Sequence, residues 1–351
     1  MYYSTKSNNT RSKSIDRDDE EEIMATIYAM RQREEFYLPD YYLQNIEVAY
    51  GEKYYDEHKS KNVKHRWRCK MVEWCFTVSD YFKLNDCCNT VAIAMNIFDR
   101  FMSIITKKIV VIACNDGKDE EIIINSVIEK RCLYYQLAAM VSFYIAVKMH
   151  EPVAIDPKGF SFMSIGVYSE QRIINMERTI ITTLQWRLNP PTPILFLHYF
   201  LSFFSINGII GAADTTNGEY KRILELAKQQ IKLGIKDNLF IGSYASNLAL
   251  AALANSIHAI KSTSNNGYYD SSLIQKLIWS IISQNDLHKE DIALYQDYLS
   301  TFLVKEPLTK NQVDCHSIPL LQPDKIMANT AGSDHDNDDR FFINGSPRNI
   351  F

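Results

Sequence analysis

The sequence contains no GxxxxGK followed by Ser or Thr, no GxGxxG after a strand-like run, no HExxH and no GxSxG. The common signatures for phosphate binding, dinucleotide binding, zinc proteolysis and serine hydrolysis are therefore absent. There is no CxxC pair. The seven cysteines, an odd number that includes the adjacent Cys87 and Cys88, suggest neither a disulfide framework nor a thiol-ligated zinc site. They read as reduced, largely buried thiols of an intracellular protein. Positive charge is not in excess, with 38 Lys and Arg against 42 Asp and Glu and a formal net charge of −4. No basic field is available to attract nucleic acid or anionic membranes, so protein partners are expected. The opening MYYSTKSNNTRSKSIDRDDEEE lacks the apolar core of a signal peptide. The eight histidines are scattered, and His58 and His65 offer no ligand spacing. Near the C-terminus Asp334, Asp336 and Asp338 imitate the start of a calcium loop. However, Asp339 stands where glycine is required and Gly345 where the bidentate glutamate belongs.

What is present is helical periodicity. With 351 residues, 46% hydrophobic and 23% charged, the chain reads as a soluble globular protein of two domains. Residues 1–19 are polar and expected to be disordered. EEEIMATIYAMRQREE then places Ile23, Ile27 and Met30 on one helical stripe. Met71, Trp74, Cys75 and Val78 mark a second helix ending near Leu84, and Val91, Met95, Phe98 and Met102 a third over residues 89–102. Two β-branched runs, KKIVVIAC and EIIIN, flank an Asn-Asp-Gly turn signal and predict a short β-hairpin at about residues 107–127. Helix resumes in YYQLAAMVSFYIAVKM up to Pro152, and again from Ser169 as an N-cap. Pro190, Pro191 and Pro193 mark a domain boundary.

Five further helices are expected in the second half, over residues 194–204, 219–233, 243–260, 273–283 and 291–304. YASNLALAALANSI resembles YYQLAAMVSFYIAV in crowding alanine onto an apolar helix, as the centre of a bundle requires. A duplicated five-helix unit follows. The apolar run from Ile194 to Ala213 is interrupted by His198, Asn207 and Gly208, and reads as a buried helix and loop rather than a membrane span. Residues 305–351 form a Pro-, Asp- and Asn-rich tail expected to be mostly disordered.

One detail resists this plain pattern: Asp99 and Arg100 interrupt an otherwise apolar helix. Either the pair sits at a solvated edge, or the carboxylate turns inward toward a basic partner.

The stretch RCKMVEWCFTVSDYFKLNDCCNTVAIAMNIFDRFMS resembles the first two helices of a cyclin box. Cyclins carry an arginine six residues before a tryptophan, an aromatic-x-Leu before the next helix, and a run ending Asp-Arg-Phe-x-Ser. Arg68, Trp74, Phe82-Lys83-Leu84 and Asp99-Arg100-Phe101-Met102-Ser103 fill those places. The similarity extends over roughly residues 20–304. It implies an all-α chain of two tandem five-helix cyclin boxes behind an N-terminal helix. Residues 20–62 would be that helix and a linker, 63–189 the first box with the β-hairpin as an insertion, and 190–304 the second box.

The resemblance also assigns roles. Asp99 should be buried against Arg68, a pairing retained to fix how two helices cross. Lys148 and Glu177 match the lysine and glutamate with which cyclins grip the regulatory helix of a cyclin-dependent kinase. Ile145, Met149, Trp186 and Leu188 match the apolar part of the same contact, Met149 in place of the usual aromatic. The chain is thus expected to be no enzyme itself. It would be a regulatory subunit, without cofactor or metal, that binds and activates a Ser/Thr kinase in the nucleus and cytoplasm and so controls cell-cycle progression.

Many cyclins also dock Arg-x-Leu peptides of substrates or inhibitors, and Trp67, Met71, Trp74 and Gln136 match that groove. Lys70 stands where an aliphatic residue is expected and Thr77 replaces a glutamate, so peptide docking should be impaired or altered. The predicted hairpin ends shortly before Gln136. It is either an inert excursion or an arm whose Asp119, Glu120 and Glu121 receive basic peptides. Two other classes share an all-α character. Transcription-factor B or retinoblastoma-like scaffolds have the same fold, but the first should carry a zinc ribbon and basic surface that this sequence lacks. An all-α enzyme would need converging acids or metal ligands.

Overall fold

The computed structural model describes residues 8–42, 63–115, 120–152, 155–164, 167–210, 218–263 and 271–303. Among them lie eleven α-helices, two short 3-10 turns and no strand. The helices are α1 (Asn8–Glu34), α2 (Val63–Tyr81), α3 (Cys87–Asn115), α4 (Glu120–His150), α5 (Pro157–Met163), α6 (Glu170–Thr183), α7 (Pro193–Ile206), α8 (Glu219–Lys236), α9 (Ala245–Thr263), α10 (Ser271–Gln284) and α11 (Lys289–Leu303).

The alanine-rich helices occupy the centres. Every residue of α4 from Gln136 to Val147 is buried, as is every residue of α9 from Ser246 to Ala254. A helix apolar on all faces has no solvated side and must be surrounded. Accordingly α4 packs on α2, α3 and α6, while α9 packs on α7, α8 and α11. Small side chains permit the close crossings: a β-carbon added at Gly234 of α8 would come within 2.8 Å of Leu248 on α9. α2 and α3 reach across to α8 and α7, and α1 lies along α7 and α10.

Local chemistry sets the ends of these helices. Asp156, Ser169 and Thr192 cap α5, α6 and α7, each side chain accepting a backbone N–H three residues on. Pro157 and Pro193 open α5 and α7, where a missing N–H has no consequence. Pro193 therefore begins a helix as well as marking a break.

The β-hairpin expected at residues 107–127 is not present. Lys107–Asn115 continue α3 and Glu120–Val127 begin α4; residues 116–119 lie outside the described residues. β-branched side chains cost only tenths of a kcal/mol in a helix. Extending a helix already nucleated adds one hydrogen bond per residue, whereas an isolated two-stranded hairpin is marginal in water. Helix α1 likewise starts at Asn8, ahead of the expected Glu20, because no proline or glycine interrupts Asn8–Glu34. The suspect apolar run is α7, buried at Ile194, Phe196, Leu197, Phe200 and Leu201. No described helix is long and apolar enough to cross a membrane. The C-terminal tail, its calcium-loop imitation and the linker at 43–62 fall outside the described residues.

Candidate functional site

The opposite charges at 99 and 100 do not pair with each other. Arg68, near the start of α2, donates Nε–H to Asp99 Oδ1 at 2.9 Å and Nη2–H to Oδ2 at 2.7 Å. The Tyr42 hydroxyl donates to the same Oδ1 at 2.9 Å. The third arm of the guanidinium, Nη1, donates to the carbonyl of Ile235 at 2.8 Å, at the end of α8. All three side chains are buried, at 7% exposure for Arg68, 4% for Asp99 and 1% for Tyr42. Burial opposes the charge on Arg68, but Asp99 outweighs it and holds the guanidinium above its ordinary value. Burial and then the charge of Asp99 push the Tyr42 hydroxyl well up. Beyond joining α2 to α3, this node gathers the N-terminal segment and caps the carbonyl end of α8.

The last turns of α4 and the body of α6 carry the residues assigned to kinase contact. Lys148 Nζ lies 2.9 Å from Glu177 Oε1, with 57% of the lysine side chain and 14% of the glutamate side chain exposed. The hydrogen bond to Glu177 raises the lysine above its usual value. The ammonium also sits 5.5 Å from the centroid of Tyr144, whose ring meets Phe160 of α5 edge-on at 5.0 Å. Met149 and Trp186 are exposed at 47% and 77%. Ile145 and Leu188, by contrast, are buried in the core and present no surface. Sequence reasoning missed Tyr144, the platform under the lysine, because an aromatic residue in an apolar helix looks like core, which most of it is. Phe162 of α5 is also 85% exposed.

The residues matched to a peptide-docking groove are differently placed. Met71, Trp74 and Gln136 are all buried. Trp74 meets Phe143 edge-on at 5.8 Å, and Gln136 Oε1 accepts from the Tyr168 hydroxyl at 3.3 Å. Thr77 spends its hydroxyl on the carbonyl of Glu73, and Glu73 pairs with Lys236. The side chain of Trp67 lies outside the described residues. Among the described residues this strip takes part in the packing of α2 against α4. Nor do any three described His, Cys, Asp or Glu side chains converge as metal ligands. Cys69, Cys75, Cys87 and Cys88 are free thiols.

Residues 39–189 match the family described as cyclin, N-terminal domain. Similar curated proteins include G2/mitotic-specific cyclin S13-6 of Glycine max, 27% identical over 139 residues covering 40% of this chain and 25% of that protein. G2/mitotic-specific cyclin-3 of Saccharomyces cerevisiae is 25% identical over 211 residues, 60% of this chain and 40% of that one. G2/mitotic-specific cyclin cdc13 of Schizosaccharomyces pombe is 24% identical over 269 residues, 75% and 48% respectively. The chain thus spans between a quarter and about half the length of these relatives. Among solved structures, a viral cyclin from herpesvirus saimiri aligns with a TM-score of 0.44 at 13% identity, covering 67% of this chain and 85% of that chain.

Proposed function

We propose, from the premise that this chain belongs to the cyclin family, that it binds a cyclin-dependent Ser/Thr kinase and activates it by holding the kinase's regulatory helix inward. A kinase requires the glutamate of that helix to reach the lysine of the neighbouring strand before ATP phosphates are correctly held. A partner that binds only the inward arrangement shifts the equilibrium by its differential affinity. Moving a kinase from 1:99 to 99:1 takes about 5.5 kcal/mol. The phosphoryl transfer belongs to the kinase, and this chain contributes recognition, acting in the nucleus and cytoplasm during cell-cycle progression.

The observation that carries this reading is the Lys148–Glu177 pair on an exposed face beside Met149. An ammonium has three donors, and Glu177 takes one of them. A donor not engaged by Glu177 or Tyr144 can meet a carbonyl group at the end of a docked helix, while Glu177 has a second oxygen for a partner N–H. Met149 and Trp186 supply apolar area of the kind that dominates interface energetics.

The reading is tested by immobilising the chain in extract of its own cells and assaying the bound fraction for histone phosphorylation. The wild-type chain should retain a Ser/Thr kinase, and the Lys148→Ala, Glu177→Ala double variant should lose most of it. Equal kinase capture by both, or none by the wild type, rejects the proposal.

A further inference from the structure

Trp186 stands 77% exposed on a turn whose backbone is unusual. Helix α6 ends with Gln185 N–H on the Thr182 carbonyl (3.2 Å) and Trp186 N–H on the Ile181 carbonyl (3.1 Å), a stop that normally places glycine at the left-handed position. Here both Gln185 (φ 52°) and Trp186 (φ 62°) are left-handed. That region is disfavoured for any residue with a β-carbon, and two in succession persist only where the surroundings over-determine them.

The surroundings do so with arginines from two other elements. Arg100 of α3 donates Nη1–H to the Arg187 carbonyl at 2.7 Å, and Arg33 of α1 donates Nη2–H to the Asn189 carbonyl at 2.7 Å. Between these ties Leu188 is buried at 4% exposure. Arg100 itself is 8% exposed, with its guanidinium 4.8 Å from the centroid of Tyr37, and no described carboxylate forms an ion pair with it. Burial lowers its pKa to about 10, so it stays charged at neutral pH. A buried guanidinium without a counter-ion stabilises a fold less than an apolar residue of the same size. Core packing therefore does not explain this arginine, whereas a charged donor to a carbonyl of a strained turn does.

We infer that Arg100 and Arg33 are positioning residues for partner binding: they clamp the Gln185–Asn189 turn so that Trp186 projects as a preformed anchor. The binding consequence rests on the kinase reading above; the clamping does not. If loss of a tie reduces the projecting conformer from full to one-tenth occupancy, the apparent Kd rises about tenfold.

The test labels the four tryptophans with 5-fluorotryptophan and assigns the Trp186 fluorine resonance with Trp186→Phe. The wild-type chain should give one narrow Trp186 line. Arg100→Met should shift, split or broaden it while leaving the melting temperature unchanged or raised. Arg33→Ala, at an exposed position, should do the same more weakly and serves alone if Arg100→Met does not fold. Against the kinase captured by the wild type, Arg100→Met should raise Kd about tenfold, and this loss should vanish in a Trp186→Ala background. An unaltered Trp186 line in both arginine variants overturns the clamp. A tenfold loss that persists without Trp186 overturns its role as the route to binding. Failure of the wild type to capture any kinase rejects the kinase reading instead, and the resonance still decides the clamp.

Discussion

Asp99→Ala should be among the most damaging single substitutions in the chain, and its effect can be worked from the node it dismantles. Asp99 accepts three hydrogen bonds, two from Arg68 and one from Tyr42, at 4% exposure. Without it, Arg68 keeps carbonyl contacts at the end of α8 but its charge is buried without compensation. Removing one partner of such a pair costs about 3–5 kcal/mol, against a total stability of about 5–15 kcal/mol for a folded domain. At roughly 2–4 °C per kcal/mol for a domain of 150–250 residues, the melting temperature should fall by roughly 6–20 °C. The informative comparison is Arg68→Met with Asp99→Leu. Removing both charges together should destabilise less than Asp99→Ala alone, because no charge remains buried unpaired. Calorimetry and urea titration of the three proteins decide the matter. An unchanged melting temperature for Asp99→Ala, or a double variant no more stable than Asp99→Ala, would refute the reasoning.

Other consequences follow from the same structure. Glu34 is 2% exposed and accepts the Ser246 N–H at the start of α9; burial raises its carboxyl from 4.5 to about 7. A carboxyl held above its unfolded pKa binds its proton more tightly in the folded chain. Its contribution is therefore most favourable below the unfolded pKa and is lost as pH rises through the folded one, a swing of about 3 kcal/mol. Glu34→Gln should accordingly be more stable than wild type at about pH 8 and little different at about pH 4, and an equal difference at both would remove the titration from the account. Lys148→Ala with Glu177→Ala should alter unfolding by only about 1 kcal/mol, since the lysine side chain is 57% exposed and removing both partners strands no charge, while weakening kinase capture; a large drop in melting temperature would place the pair in the core's service instead. Replacing residues 109–125 with a short Gly-Ser bridge should reduce helical circular dichroism at 222 nm, because both flanks are helix. It should spare activity of the associated kinase on a short peptide, and an unchanged helical signal would contradict the continuous helices.

The parts of this molecule that could be read from sequence are those whose cause is local or whose pattern is dense. Alanine-crowded runs predicted central helices, and α4 and α9 are central because a helix without a polar face has nowhere else to go. The apolar run around Asp99 left a solvated edge and an inward carboxylate both open, and the resemblance to cyclins turned it inward against Arg68. The same text was silent on Tyr42, which meets Asp99 across 57 residues, and on the end of α8, whose Ile235 carbonyl meets Arg68 across 167 residues. Glu34 reaches Ser246 across 212 residues, and no window of sequence contains that encounter. The β-branched runs around residue 110 misled because propensity is a difference of tenths of a kcal/mol, easily overridden when a helix already formed needs only to be prolonged. The Trp186 turn was hidden for the opposite reason. Left-handed backbone is read from glycine or asparagine, and here a glutamine and a tryptophan occupy it because two arginines from distant helices hold the next carbonyls in place. Where local preference and observed conformation disagree most sharply in this chain, the side chain that results is an exposed tryptophan, and it is this disagreement that motivates its assignment as a preformed anchor.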